Sequence, residues 1–130
     1  MSVVLTQKIW RRGQIVFCEP ILALFDSFIR HYNLELLNNP EVKEGEVLGE
    51  ELRTDIILAV ASKLDELRAQ EETPEEAISK SATLQLMTRE FMTSFKEALR
   101  KGGCTTTITN EMYDELQSRV NRMLTKVIFD

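Results

Sequence analysis

His31 is the only histidine in the chain, and it is the side chain best suited to acid–base chemistry near neutral pH. It lies between Arg30 and Tyr32, and Glu35 follows at a spacing that one helical turn would bring together. There is no second histidine, and there is no His-x-x-Glu pair of the kind that helical di-metal proteins use. This isolation favours a boundary histidine over a catalytic residue or a metal ligand.

Carboxylates occur in three adjacent pairs, which are Glu50 and Glu51, Asp65 and Glu66, and Glu71 and Glu72. Neighbouring positions on a helix point about 100° apart, so these pairs do not form ready-made acid–base dyads. A solvated acidic face is the favoured interpretation, and an electrostatic contact for a basic partner is the alternative.

The two cysteines, Cys18 and Cys104, are too few for a disulfide-rich scaffold or a four-cysteine zinc site. Cys104 follows two glycines but has no Cys-x-x-Cys partner and no neighbouring histidine, so a free structural thiol is favoured. A disulfide between the two remains open. Phosphate-binding loops, nucleophile elbows and zincin motifs are absent from the sequence. We therefore predict no catalytic, cofactor-binding or metal-binding residue, no cofactor and no enzymatic activity.

Basic residues form one short stripe near the end of the chain. Arg119, Arg122 and Lys126 are spaced three and four residues apart, which places them on one helix face. A solvated face is the favoured interpretation, and a nucleic-acid contact is the alternative. The formal net charge of −5 argues against general coating of nucleic acid, because phosphate neutralisation supplies most of that affinity. A local basic patch remains compatible with this total.

The elements that would position these residues are helices. Apolar side chains recur every three or four residues in four stretches, 20–37, 46–70, 74–101 and 110–128. Thr73, Pro74 and Glu76 form a helix-start signature, and Gly102 is predicted to end the third stretch in a left-handed cap. Residues 3–18 fit a helix interrupted by Gly13 or a β-rich segment, and we favour the helix.

These patterns predict an all-α, single-domain bundle of four to five helices over residues 1–130. The hydrophobic fraction of 43% and the charged fraction of 28% are typical of a globular domain. No apolar run approaches the ~18 residues that a membrane span needs. The N-terminal charges follow the apolar residues, which is the wrong order for a signal peptide. A cytoplasmic location is therefore expected.

The last helical stretch carries the apolar stripe that we interpret as a partner-binding face. Its members are Tyr113, Leu116, Val120, Met123, Val127 and Phe129. The stripes of all four stretches are wider than a small bundle is expected to need, and surplus apolar surface indicates a partner or a second copy. We expect a non-enzymatic protein–protein interaction module, an adaptor or regulatory subunit that self-associates. A dedicated chaperone for one client and a nucleic-acid-binding regulator using the basic stripe are the alternatives.

Overall fold

The computed structural model describes residues 18–39, 42–69 and 80–129 of the chain. These residues form four α-helices, which we label α1 (Cys18–His31), α2 (Glu50–Ala69), α3 (Lys80–Lys101) and α4 (Asn110–Phe129). The described part contains no β-strand, only a single antiparallel bridge between Leu36 and Cys104. The all-α prediction is confirmed. The predicted helix over 3–18 and the Thr73-Pro74-Glu76 helix start lie outside the described residues.

Helix α1 ends at His31, whereas the apolar period extended the prediction to residue 37. Asn33 has a φ of 51°, which is left-handed backbone that breaks the helical hydrogen-bond ladder. Its N–H donates to the carbonyl of Arg30, and the N–H of Leu34 donates to the carbonyl of Ile29. This pair of bonds is a Schellman cap. Leu36 therefore belongs to the loop that follows α1, although its spacing matches the helix.

Helix α3 ends in the same motif, but at a different glycine from the one predicted. Gly103, with a φ of 73°, holds the left-handed position. Gly103 N–H donates to the carbonyl of Arg100, and Cys104 N–H donates to the carbonyl of Leu99. The prediction of Gly102 was wrong by one residue. Gly102 is instead buried, and a Cβ there would lie 3.1 Å from Leu52 Cδ1.

Helix α2 begins at Glu50, four residues later than the apolar pattern predicts. The buried carboxylate of Asp26 accepts hydrogen bonds from the backbone N–H groups of Val47 and Leu48 at 3.0 and 2.9 Å. Asn39 Oδ1 accepts a third bond from the Gly49 N–H at 2.7 Å. Residues 47–49 are held as a loop because the side chains of Asp26 and Asn39 accept hydrogen bonds from their backbone N–H groups.

Helix α3 is the centre of the packing, with extensive contacts to both α2 and α4. The core under α1 is aromatic. Phe25 stacks on Phe95 with ring centroids 4.2 Å apart, and it meets Phe91 edge to face at 6.4 Å. All three rings are fully buried, and each such side chain contributes about 1.5–3 kcal/mol of hydrophobic stabilisation. These contacts fix α1 across α3 and leave its other side facing α4.

Candidate functional site

A cleft of about 220 Å³ lies between α1 and the first half of α4. Its lining combines apolar and polar side chains, which are Leu24, Ser27, Phe28, His31, Tyr32, Met112, Glu115, Leu116 and Arg119. Helix α1 meets α4 over far fewer residues than α3 does, so the two helices leave this space between them.

The floor of the cleft is apolar. Phe28 and Leu116 are buried, and Leu24 and Met112 are half-buried against the core. Phe28 is held by edge-to-face contacts with Tyr32 at 4.9 Å and with Phe95 at 5.6 Å. Phe28 and Leu116 thus belong to the core, and Leu24 and Met112 are the floor side chains that the described helices cover only in part.

The rim of the cleft is polar and centres on Glu115. Tyr32 Oη donates to Glu115 Oε2 at 3.4 Å, and Arg119 Nη2 donates to Glu115 Oε1 at 3.2 Å. The exposed His31 ring contacts the Tyr32 ring edge to face at 4.7 Å. Because α1 ends at His31, Glu35 is not one helical turn away, as the sequence spacing suggested. A rim of this kind can orient a polar backbone or a cationic side chain above an apolar floor.

The residues predicted to bind a partner do not share one surface. Leu116 and Val120 are buried in the core, with 2% and 0% of their surfaces exposed. Tyr113, Met123 and Val127 are half-buried against that core. The sixth predicted residue, Phe129 at the end of α4, is 47% exposed. Of the six, Leu116 lies in the cleft, and Met123 and Val127 follow it at helical spacing along α4.

Surplus apolar surface is smaller than the sequence suggested. Among the described residues, the exposed large hydrophobic side chains are Leu37, Val42, Leu58 and Phe129. They belong to the loop after α1, the loop before α2, the middle of α2 and the end of α4. Most of the apolar side chains in the wide stripes are buried in the core, and the α1–α4 cleft contains the partly buried Leu24 and Met112.

The basic stripe of α4 is divided. Arg119 lies in the cleft and is paired with Glu115. Arg122 and Lys126 are exposed and form no ion pair with any other described residue. Of the three cations in the stripe, two therefore lack an ion pair within the described part of the chain.

A second, polar groove of about 370 Å³ lies between α3 and α4, and sequence reasoning missed it. Arg89 and Lys96 contribute cations, and Asn121 Nδ2 donates to the buried Thr88 Oγ1 at 3.2 Å. The signal available in the sequence was polar residues at 85, 88 and 89 within an apolar helix. Lys96 Nζ also lies 4.6 Å from the centre of the Tyr113 ring.

Tyr113 has an altered acidity. Its partial burial raises the pKa of the phenol above the usual value, and the nearby Cys104 charge raises that pKa further. The phenol therefore stays protonated well above neutral pH and is unsuited to act as a base. Cys104 is a free, partly buried thiol, and Cys18 lies at the start of α1.

Asp26 and Arg53 form a buried ion pair of 2.8 Å beneath the loop before α2. All the oxygens of Asp26 are used by the backbone of that loop and by Arg53, so the pair holds the loop in place. Within the described residues, no group of three or more histidine, cysteine, aspartate or glutamate side chains could hold a metal ion.

Comparison of the chain with protein-family models, curated proteins and solved structures finds no match. None of the four helices described is long and apolar enough to cross a lipid bilayer.

Proposed function

We propose that this chain is a non-enzymatic protein–protein interaction module, and that the α1–α4 cleft is its docking surface. The observation that carries the proposal is an apolar floor of core-anchored side chains under a polar rim built around Glu115. Grooves of this design bind the apolar face of an amphipathic helix, whose anchoring side chains enter the groove.

The size of the cleft favours a protein side chain over a metabolite. Small-molecule sites typically measure about 300–1,000 Å³, whereas this cleft measures about 220 Å³. A space of this size suits one or two anchoring side chains. Half-buried Met123 and Val127 continue the apolar edge along α4, so the contact can extend beyond the cleft.

The charges around the cleft favour a cationic partner helix. Glu111 and Asp114 are exposed on the first turns of α4 beside the Glu115–Arg119 ion pair of the rim, and the chain carries a net charge of −5. An amphipathic helix with lysine or arginine beside its apolar stripe would be steered towards this acidic surface.

The two alternative functions differ in the surface that they would use. A dedicated chaperone would use the same cleft for one client, so it differs from an adaptor only in its partner. A nucleic-acid-binding regulator would rely on Arg122 and Lys126, the two cations of the stripe that pair with no described residue. Self-association remains a prediction, since the four exposed hydrophobic side chains lie on different elements.

The test is a fluorescence anisotropy titration of the full chain into a labelled, tryptophan-free amphipathic helix with a leucine stripe and lysine flanks. Saturable binding that is absent for a scrambled peptide of equal composition supports the proposal. Two matched variants locate the site. Leu24→Lys places a charge in the cleft, and Leu58→Lys makes the same change at an exposed position on α2.

We expect Leu24→Lys to weaken binding at least about tenfold, which corresponds to about 1.4 kcal/mol, and Leu58→Lys to leave it unchanged. Equal binding of the scrambled peptide would contradict a docking surface. Equal affinities of the two variants would place the binding elsewhere. Sedimentation velocity on the same samples measures self-association directly.

A further inference from the structure

We propose that the α3–α4 groove binds a small, elongated organic anion that carries a phosphate or carboxylate group at each end. This site goes beyond the proposed function, because the groove shares no lining residue with the α1–α4 cleft and would take a ligand rather than a partner helix. The groove measures about 370 Å³, which lies within the range of about 300–1,000 Å³ that is typical of small-molecule sites.

The groove follows two antiparallel helices. Asn121 Nδ2 on α4 donates to Thr88 Oγ1 on α3 at 3.2 Å. Lys96, eight residues further along α3, places its Nζ 4.6 Å from the ring centre of Tyr113, which lies eight residues earlier on α4. The two contacts are therefore about 12 Å apart along the helices. A groove between them suits an elongated ligand better than a compact ion.

The charged side chains of the groove lining are both cations. Arg89 and Lys96 are exposed and lie seven residues apart on α3, about 10.5 Å along its axis. Neither forms an ion pair with another residue in the described part of the chain. The adjacent carboxylates, Glu90 and Glu97, do not line the groove, and Glu97 is paired with Arg100. Two available cations can thus each bind one end of a dianion.

Uncharged polar side chains complete the lining. Thr93 and Gln117 are exposed, and Asn121 is half-buried and oriented by its bond to Thr88. Hydroxyl and amide groups both donate and accept, so they can bind anionic oxygens as well as hydroxyl groups on a ligand. Met92, which is 4% exposed, adds an apolar surface beneath them. This lining fits a ligand whose middle is short and partly apolar or hydroxylated.

Isothermal titration calorimetry of the full chain with synthetic probes tests the inference. The probes are a bisphosphate with a six-carbon chain, a bisphosphate with a two-carbon chain, and the monophosphate of the six-carbon chain. We expect the longer bisphosphate to bind one to one and at least about tenfold more tightly than either other probe, because only it can reach both cations. A dicarboxylate of the same length is the fourth probe. Binding of either long dianion supports the site, and the tighter of the two identifies the end group.

Matched variants locate the binding. Arg89→Gln with Lys96→Gln removes both cations of the groove, and Arg122→Gln with Lys126→Gln removes two exposed cations elsewhere on α4. Both double variants change the net charge equally, so only the groove variant should weaken binding, by at least about tenfold. Circular dichroism establishes that both are folded. Where the groove variant fails this check, Gln117→Glu places a carboxylate at an exposed position of the lining and should weaken binding instead.

The inference is overturned if neither long dianion binds saturably, or if the six-carbon bisphosphate and monophosphate bind equally well. Equal losses in the two double variants would also overturn it, because net charge rather than the groove would then explain the binding. A peptide of consecutive glutamates represents a protein ligand. Binding of that peptide more tightly than the bisphosphate, with loss in the groove variant, would overturn the assignment to a small molecule.

Discussion

At the scale of single residues, Asp26 is a buried carboxylate with hydrogen-bond partners on other parts of the fold. It is 3% exposed, and its carboxylate accepts two backbone N–H groups and one bond from the Arg53 guanidinium. A buried carboxylate is stable only where such partners replace water. Asp26 therefore links α1, the loop before α2 and α2 itself.

Replacing Asp26 with alanine should destabilise the fold by about 3–5 kcal/mol. The backbone N–H groups of Val47 and Leu48 would lose their acceptor, and Arg53 would keep only the longer ion pair with Glu46 at 3.8 Å. Urea unfolding followed by circular dichroism measures this change. Asp26→Asn keeps the shape and one acceptor and should cost less. Glu97→Ala, which breaks an exposed pair with Arg100, is the control and should leave stability nearly unchanged, because solvent screens an exposed pair. A cost for Asp26→Ala as small as the control would contradict the role given to this residue.

Because the pKa of Tyr113 is raised, we expect the folded chain to lose stability at alkaline pH. Its folded-state pKa is raised by burial and by the Cys104 charge, so the unfolded phenol loses its proton first, near pH 10. The folded chain then holds a proton that the unfolded chain has released, and the free energy of unfolding falls as pH rises through this window. Urea unfolding at pH 9 and at about pH 11 should show a steeper decline for the wild type than for Tyr113→Phe. Identical declines would show that the phenol does not contribute.

At the scale of elements, both Schellman caps decide where helices end. Asn33 and Gly103 occupy left-handed backbone at φ values of 51° and 73°. The two ends also meet, because Asn38 N–H donates to the Gly102 carbonyl at 2.7 Å. The loop after α1 is thereby attached to the end of α3.

Gly103→Ala should destabilise the chain by about 1–2 kcal/mol, since a Cβ is strained in left-handed backbone. The added Cβ would also approach Asn38 Nδ2 to 3.1 Å. Asn33→Gly relieves the same kind of strain and should be neutral or stabilising. Thermal and urea unfolding of the pair measure these effects, and a stable Gly103→Ala variant would show that the cap is not needed.

The sequence predicted the helical elements better than their ends. The spacing of the apolar residues identified the helices α1 to α4, because each of them buries one apolar face in the shared core. It could not show that Asn33 would end α1, because Leu36 continues the same spacing as a loop residue. It also could not show that Asp26 would hold residues 47 and 48, since that contact joins residues 21 and 22 positions apart.

The basic stripe provides a test of the nucleic-acid alternative at the element scale. With Arg119 paired to Glu115, Arg122 and Lys126 are too few to anchor a phosphate backbone on an acidic chain. We expect no saturable binding to a labelled DNA duplex or single-stranded RNA at physiological salt. Binding that weakens steeply with salt and disappears in an Arg122→Glu, Lys126→Glu variant would establish the alternative instead.

At the scale of the whole molecule, the α1–α4 cleft results from how the helices share α3. Phe25, Phe91 and Phe95 fix α1 on α3, and α4 packs along the same helix. The space between α1 and α4 is what remains. The partner-binding stripe predicted on the last helix included Leu116 and Val120, which the core buries. The spacing of apolar residues cannot distinguish a core-facing stripe from a partner-facing one. It also does not indicate that His31, Glu115 and Arg119 would line the same cleft.

The central claim is that the cleft is a docking surface for a cationic amphipathic helix. Its most direct test is a ¹H–¹⁵N NMR titration of the full chain with the leucine-and-lysine helix. We predict saturable shifts concentrated at Leu24, Phe28 and Leu116 and in the first turns of α4, with Leu58 and its neighbours on α2 unchanged. Shifts centred on Arg89 and Asn121 in the α3–α4 groove, or the absence of any saturable shift, would contradict the claim.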